Sequence, residues 1–291
     1  MDPLELVRLP RLMALTRGRA DVVVALLDGP VAIDHPDLAT VSIRLLTATP
    51  GHCSDPGSSS CRHGTFVAGI LAARRGAHAP AIAPDCSLLV RPIFPETEPP
   101  EELPSATPAD LAKAIVNCVD EGARIVNLSA ALVGSSIGAE HELDAALGYT
   151  IRRGVLMVVA AGNQAAIGGS VITRHPWVIP VVGYALGGRP LTQSNLGRSI
   201  GRGGLGAPGE AVISLASEHE PIASGGTSVA APFVTGAAAL LWSAFPEATA
   251  VEIKQALLYP VGRRTTVVPP LLDAWGAYEV LSEGRDRRAM P

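Results

Sequence analysis

Three positions in this chain have the side chains and surroundings to do chemistry together: Asp28, His63 and Ser228. Asp28 ends the run Asp21-Val-Val-Val-Ala-Leu-Leu-Asp28 and precedes Gly29-Pro30. A carboxylate at the end of an apolar strand is costly unless something holds it there. His63 begins His63-Gly-Thr-Phe-Val-Ala-Gly-Ile-Leu-Ala-Ala, whose apolar residues follow at helical spacing. Read as a helix start, that places the imidazole at the positive end of a dipole, which suits a base that rests neutral. Ser228 lies in Gly225-Gly-Thr-Ser-Val-Ala-Ala-Pro232, where two glycines allow a sharp bend before an apolar helix. Its hydroxyl and N–H would then face the positive helix end, where a developing oxyanion is stabilised. Asn163, in Val158-Val-Ala-Ala-Gly-Asn-Gln164, can supply a second donor through its side-chain amide. Taken singly, each block also reads as something ordinary: a turn aspartate, a capping histidine, an N-cap serine and a turn asparagine.

These positions need a scaffold that gathers strand ends. Continuous apolar runs recur at Asp21–Asp28, Ser87–Ile93, Ile125–Leu128, Val155–Ala161 and Trp177–Val182, the mark of strands buried on both faces. Helical spacing is predicted for His63–Arg75, Asp110–Glu121, Glu140–Arg153, Ser228–Phe245 and Val251–Leu258. The alternation predicts an α/β fold, a three-layer α/β/α sandwich with a mostly parallel sheet. In such sheets the reactive groups collect at the carboxyl ends of the strands. Gly51–Ser60 and the proline- and glutamate-rich Pro95–Pro108 read as loops. The expected organisation is an N-terminal segment 1–20, one domain over 21–282 and a polar tail 283–291.

The 291 residues suffice for one large core, and 47% hydrophobic against 17% charged residues argues against disorder. A net charge of -4 gives no general attraction to nucleic acid. The opening Met1-Asp-Pro-Leu-Glu-Leu-Val-Arg lacks a basic stretch followed by an apolar one, so a cytoplasmic chain without a leader is expected. Val229–Phe245 is interrupted by Pro232, Gly236 and Ser243 and reads as a buried helix rather than a membrane span. Cys53 and Cys61 close a short loop ahead of His63 and can pair, although reduced thiols are the ordinary state in a cytoplasm.

Four ordered blocks, Val-Ala-Leu-Leu-Asp28, His63-Gly-Thr-Phe-Val-Ala-Gly, Ala-Ala-Gly-Asn163 and Gly-Thr-Ser228-Val-Ala-Ala-Pro, resemble the subtilase family of serine peptidases over roughly 21–281. The resemblance implies a subtilisin-like fold and a triad in the chain order Asp, His, Ser. It implies Ser228 as nucleophile, His63 as general base and then acid, and Asp28 as its orienting partner. Asn163 and the Ser228 N–H would form the oxyanion hole. Ile125-Val-Asn-Leu-Ser-Ala-Ala-Leu132 resembles the segment on which substrate pairs as an added strand, with Ser129, Ala130, Ala131 and Gly162 as substrate-binding residues.

Several positions depart from the family pattern. Gly29 stands where a hydroxyl residue is usual, which removes one expected hydrogen-bond partner of Asp28. Asp28-Gly-Pro-Val with His35-Pro-Asp-Leu resembles the proteases that mature cyanobactin-type precursor peptides. Val229 replaces the usual methionine after the nucleophile and removes an oxidisable group. Asp37 matches a calcium-binding position of many relatives, but 74–81 lacks the asparagines that would complete it, so neither a metal site nor any other cofactor is expected. The stretch ahead of Asp21 is too short for a folding pro-domain, and 28–63 too short for the insertion of peptide macrocyclases, which favours hydrolysis.

The expected partner is a peptide or protein substrate, in particular a ribosomally made precursor peptide, with no nucleic acid and no membrane. A general intracellular degradative protease and a non-catalytic peptide-binding pseudo-protease are the alternatives. The glutamates of Pro95–Pro108 would favour basic residues a few positions before the cut, so Lys-bearing peptides should be cleaved faster than Ala-bearing ones at low salt. Equal rates would remove that expectation.

Overall fold

Neighbouring residues of the first buried strand face opposite cores, and this alternation organises the molecule. The computed structural model describes residues 1–46, 52–94, 96, 105–129, 131–132, 137–259 and 266–289. Helices α1 (Pro3–Leu6) and α2 (Leu9–Leu15) lead into β1 (Val23–Asp28), β2 (Ile43–Leu45), α3 (Ser59–Ala72) and β3 (Ser87–Pro92). Next come β4 (Ser105–Ala106), α4 (Pro108–Asp120), β5 (Ile125–Leu128), β6 (Ala131–Leu132), α5 (Ile137–Arg152) and β7 (Leu156–Ala160). They are followed by α6 (Val171–Arg174), β8 (Ile179–Tyr184), α7 (Arg198–Gly203), β9 (Leu205–Pro208), β10 (Val212–Ser214) and β11 (Ile222–Ser224). Three helices complete the chain: α8 (Thr227–Ala244), α9 (Ala250–Leu257) and α10 (Ala274–Ala289).

Seven strands form one sheet in the order β2-β3-β1-β5-β7-β8-β9, and every neighbouring pair is parallel. Val24 and Leu26 of β1 point into a core shared with α3 and α8, while Ala25 and Leu27 point into a second core shared with α4 and α5. Both faces are therefore covered, as the continuous apolar runs predict. The chain leaves β1 toward β3 on one side and later returns to β5 on the other. The carboxyl end of β1 is thus a switch point of the sheet, where such folds place their ligand sites.

Helix α8 runs through the centre of its layer and is buried along almost its whole length. Among the described residues it alone is long and apolar enough to cross a membrane, but 89% of it is buried inside the protein, as a core helix is. Beyond its C-terminus, Thr249 and Glu252 cap α9 reciprocally.

Both chain ends carry more structure than their sequences suggest. Val7, Leu9 and Leu12 are fully buried in the α3/α8 core, and Arg75 donates to the carbonyls of Met13 and Thr16, tying α2 to the end of α3. The polar stretch from 283 continues α10 through Ala289. That helix is anchored at its start by Trp275 and Tyr278, stacked 4.8 Å apart, with Arg11 lying 3.9 Å over the Trp275 ring. If 1–20 belongs to the core, Leu12→Ala should lower the unfolding free energy by about 2–5 kcal/mol in a denaturant titration. A loss within error would mean that the segment merely rests on the surface.

Candidate active site

The site begins with a backbone contact. A side chain at Gly29 would place its Cβ 1.9 Å from the Ser60 carbonyl oxygen, and one at Gly64 would lie 2.3 Å from the Pro30 oxygen. With no side chain at either position, the first turns of α3 sit directly on the chain leaving β1. Thr65 completes the junction by accepting the Ala32 N–H at 2.9 Å. The hydroxyl residue usual at position 29 has no room here.

This junction brings His63 Nδ1 to 2.6 Å from Asp28 Oδ1, and His63 Nε2 to 3.0 Å from Ser228 Oγ. Asp28 is fully buried, whereas the imidazole is 30% exposed. Asp28 Oδ1 also accepts the Gly29 N–H at 2.7 Å. Its Oδ2 is buried without a hydrogen-bond partner among the described residues, as the loss of a hydroxyl at 29 predicts. Burial pulls the His63 pKa down, but the charge of Asp28 and its hydrogen bond outweigh it, so the net shift is upward from 6.5.

One expectation is corrected at this point. His63 does not start its helix: α3 begins at Ser59, with Ser58 as N-cap accepting the Cys61 N–H. The imidazole therefore sits a turn inside the helix, where the dipole is weaker, and Asp28 governs its protonation.

Ser228 is the second residue of α8, and its hydroxyl goes to His63 rather than capping the helix. The N-cap is Gly226, whose φ of +118° lies in a region that L side chains rarely adopt. Pro232 has no N–H to offer the Ser228 carbonyl four residues earlier, which loosens the turn that carries the serine. Thr227, for which the sequence suggested no role, fixes the neighbouring loop twice. Its N–H donates to Asn163 Oδ1 at 2.9 Å, and its hydroxyl accepts the Gly162 N–H at 3.1 Å. With Oδ1 engaged in this way, the Asn163 amide N–H groups remain as the donors that this side chain can offer.

Ser129 lies at the carboxyl end of β5 and is buried. Asn127 donates to its hydroxyl at 2.9 Å and accepts from Thr235 of α8 at 2.7 Å, so the strand end and the central helix are joined through buried polar groups. Ala131 contributes backbone to β6, which pairs with Ser105–Ala106 of β4. Ala130 lies outside the described residues, as do 95 and 97–104 of the acidic loop. Glu96 of that loop accepts from the N–H groups of Ser54 and Asp55 at 2.9 and 3.0 Å, which bind it to the chain ahead of α3.

Cys53 and Cys61 form a disulfide, with Cα atoms 5.5 Å apart, in place of the reduced pair ordinary in a cytoplasm. The early start of α3 explains the pairing, because it puts Cys61 in the first helical turn, opposite the strand-like contact of His52 with Val31. Calcium does not fit at Asp37: Arg74 Nε stands 2.5 Å from its carboxylate, and the Arg74 N–H occupies its carbonyl at 2.8 Å. A guanidinium already supplies the positive charge there, and among the described residues the oxygen donors that calcium needs are not assembled around Asp37.

Because the Asp28–His63 distance depends on bare backbone contact, Gly29→Ala should displace α3. Overpacking of this kind costs about 1–3 kcal/mol, and activity should fall more steeply than stability. Parallel melting curves and rate measurements check this; a fully active Gly29→Ala protein would contradict it.

The Subtilase family model matches residues 19–268. A thermostable alkaline protease of Halalkalibacterium halodurans is 30% identical over 234 residues, covering 80% of this chain and 60% of its own length. Among solved structures, the protease domain of PatA superposes with a TM-score of 0.81 at 32% identity, covering 92% of this chain and 97% of its own. The prenylagaramide maturation protease PagA gives a TM-score of 0.81 at 29% identity, with coverages of 94% and 98%. The chain spans about 60% of the length of the curated relatives it matches. Its three layers are those of the subtilisin-like fold. By sequence and by architecture, the chain belongs to the subtilase family.

Proposed function

We propose that this protein is a serine endopeptidase that cuts a ribosomally made precursor peptide through an acyl-enzyme on Ser228. The observation that carries the reading is the unbroken line Asp28–His63–Ser228, with contacts of 2.6 and 3.0 Å. Ser228 Oγ attacks the scissile carbonyl while His63 Nε2 takes its proton, and the imidazolium so formed is stabilised by the buried Asp28 carboxylate. The tetrahedral oxyanion receives hydrogen bonds from the Asn163 amide and the Ser228 N–H, one of the first-turn donors of α8 without an intrahelical partner. His63 then gives its proton to the leaving amine, and water repeats the sequence to release the acyl group.

Precursor processing, rather than general degradation, is supported by the likeness to PatA, named a patellamide maturation protease, and to PagA at 29–32% identity. Ser129, Ala130, Ala131 and Gly162 are proposed to line the non-primed side of the bound peptide, next to the acyl-accepting serine.

Ser228→Ala should lower turnover by about 10⁶-fold while the fold is kept, as removal of a triad nucleophile does. Mass spectrometry of a precursor-peptide library should show one or a few defined cuts with the wild type and none with the variant. Ready degradation of unfolded casein would favour a general protease, and failure of a fluorophosphonate to label Ser228 would favour a peptide-binding pseudo-protease.

The acid limb follows from the sign of the His63 shift. Only the neutral imidazole accepts the serine proton, and Asp28 raises the His63 pKa, so kcat/KM should fall with a midpoint above the ~6.5 of a free imidazole. Asp28→Asn removes both upward influences and leaves burial alone. The limb should then move to lower pH while kcat drops by about 10⁴-fold. A limb that stays in place in Asp28→Asn would detach Asp28 from the titration.

A further inference from the structure

The turn that carries Asn163 is not held by its own backbone preferences. Gly162 has φ +102°, and Ala165, three residues later, has φ 52°, a region costly for a residue with a side chain. Thr227 holds this turn from the α8 side. On the other side stands Asn195, from the segment between β8 and α7. Its Nδ2 donates to the Ala161 carbonyl at 3.2 Å and to Gln164 Oε1 at 2.7 Å. Its Oδ1 accepts the N–H groups of Gln164 and Ala166, both at 3.0 Å. Its own backbone N–H donates to the Gly162 carbonyl at 2.8 Å. The bonds reach residues on either side of Asn163, so one planar amide bridges the base of the turn with Asn163 at its tip. A side chain at Gly162 would lie 2.4 Å from Asn195 Nδ2, so the glycine is required by this contact as well as by its backbone angle.

We propose that Asn195 is a positioning residue for the reaction, acting through Asn163 by fixing where the oxyanion-binding amide points. The inference rests on the reading of Asn163 given under Proposed function. Asn195 has no hydrogen bond to Asp28, His63 or Ser228 among the described residues, so it handles neither the proton nor the nucleophile. An oxyanion donor must aim at where the oxygen will be in the tetrahedral intermediate, and a misplacement of about 1 Å costs up to ~10²-fold in rate. Only an asparagine-type head supplies donor and acceptor in one rigid plane at this place. Aspartate keeps the two N–H···O bonds from Gln164 and Ala166 but sets a charged oxygen against the Ala161 carbonyl and Gln164 Oε1.

The test is a double-mutant cycle on a peptide that the wild type hydrolyses, comparing Asn195→Asp, Asn195→Ala, Asn163→Ala and Asn163→Ala/Asn195→Ala. Each Asn195 variant should lower kcat by about 10–100-fold with KM unchanged. Asn163→Ala should lower it by about 10²–10³-fold, and adding Asn195→Ala to that variant should cost nothing more. Melting curves accompany the rates, and Asn195→Asp, which keeps both accepting bonds, carries the test if Asn195→Ala fails to fold. An Asn195 loss that persists undiminished without Asn163, or that appears in KM alone, overturns the inference, as does an unchanged kcat. The two levels separate cleanly. Full activity in Asn163→Ala would overturn the oxyanion reading and this inference with it. Impaired Asn163→Ala beside unimpaired Asn195 variants would overturn this inference alone.

Discussion

The candidate site depends on a contact between two stretches of backbone, made where α3 rests on the chain leaving β1. Hydrogen bonds of 2.6 and 3.0 Å require their partners to be placed to within a few tenths of an ångström, and long side chains packed between elements would not give that. Gly29 and Gly64 remove the side chains altogether, so the spacing is set by carbonyl oxygens and Cα atoms, which have almost no freedom. The disulfide from Cys53 to Cys61 and the Glu96 carboxylate on Ser54 and Asp55 secure the chain just ahead of α3. Each reinforces a helix whose side chain at 63 must not drift.

The nucleophile side is built on a different principle. Helix α8 is buried and nearly featureless chemically, so its position comes from packing, and its register is fixed by a few buried polar links. Thr235 ties it to Asn127 and so to Ser129 at the end of β5, while Thr227 ties its first turn to Gly162 and Asn163 after β7. Such groups are costly when unpaired inside a core, so a slip of α8 along its axis would leave several unsatisfied at once. Packing supplies the adhesion, and the polar links select one register.

Much of this was readable in the chain, for a physical reason. A parallel sheet covered on both faces writes its central strands as unbroken apolar runs, and the residues that interrupt those runs at their carboxyl ends are the ones with something else to do. Asp28, Asn163 and Gly162 stand out in that way, and the structure brings them together with His63 and Ser228. The edge strand β2 has only three residues, and β9 (Leu205–Pro208) contains a glycine and a proline that read as a turn, so neither shows a strand pattern. The start of α3 is hidden because 51–60 looks like a loop by composition, although Ser58, three residues before Cys61, is an ordinary N-cap. The parts played by Thr227 and Arg74 had no local signal, since each is defined by a partner distant in sequence.

The departure at Gly29 links the fold to the chemistry. A hydroxyl there would donate to Asp28, but the Ser60 carbonyl occupies its place, and the contact that excludes it is the one that sets the Asp28–His63 distance. Asp28 is thus left with the Gly29 N–H and His63 on Oδ1, and with an Oδ2 that no described group satisfies. A buried carboxylate with few donors directs its field at the one partner able to become positive. That partner is His63, whose shift is upward despite its burial. The missing hydrogen bond is therefore a consequence of the backbone contact. A hydroxyl side chain at 29 would have to move α3 away first, and with it the imidazole whose distance to Asp28 that contact sets.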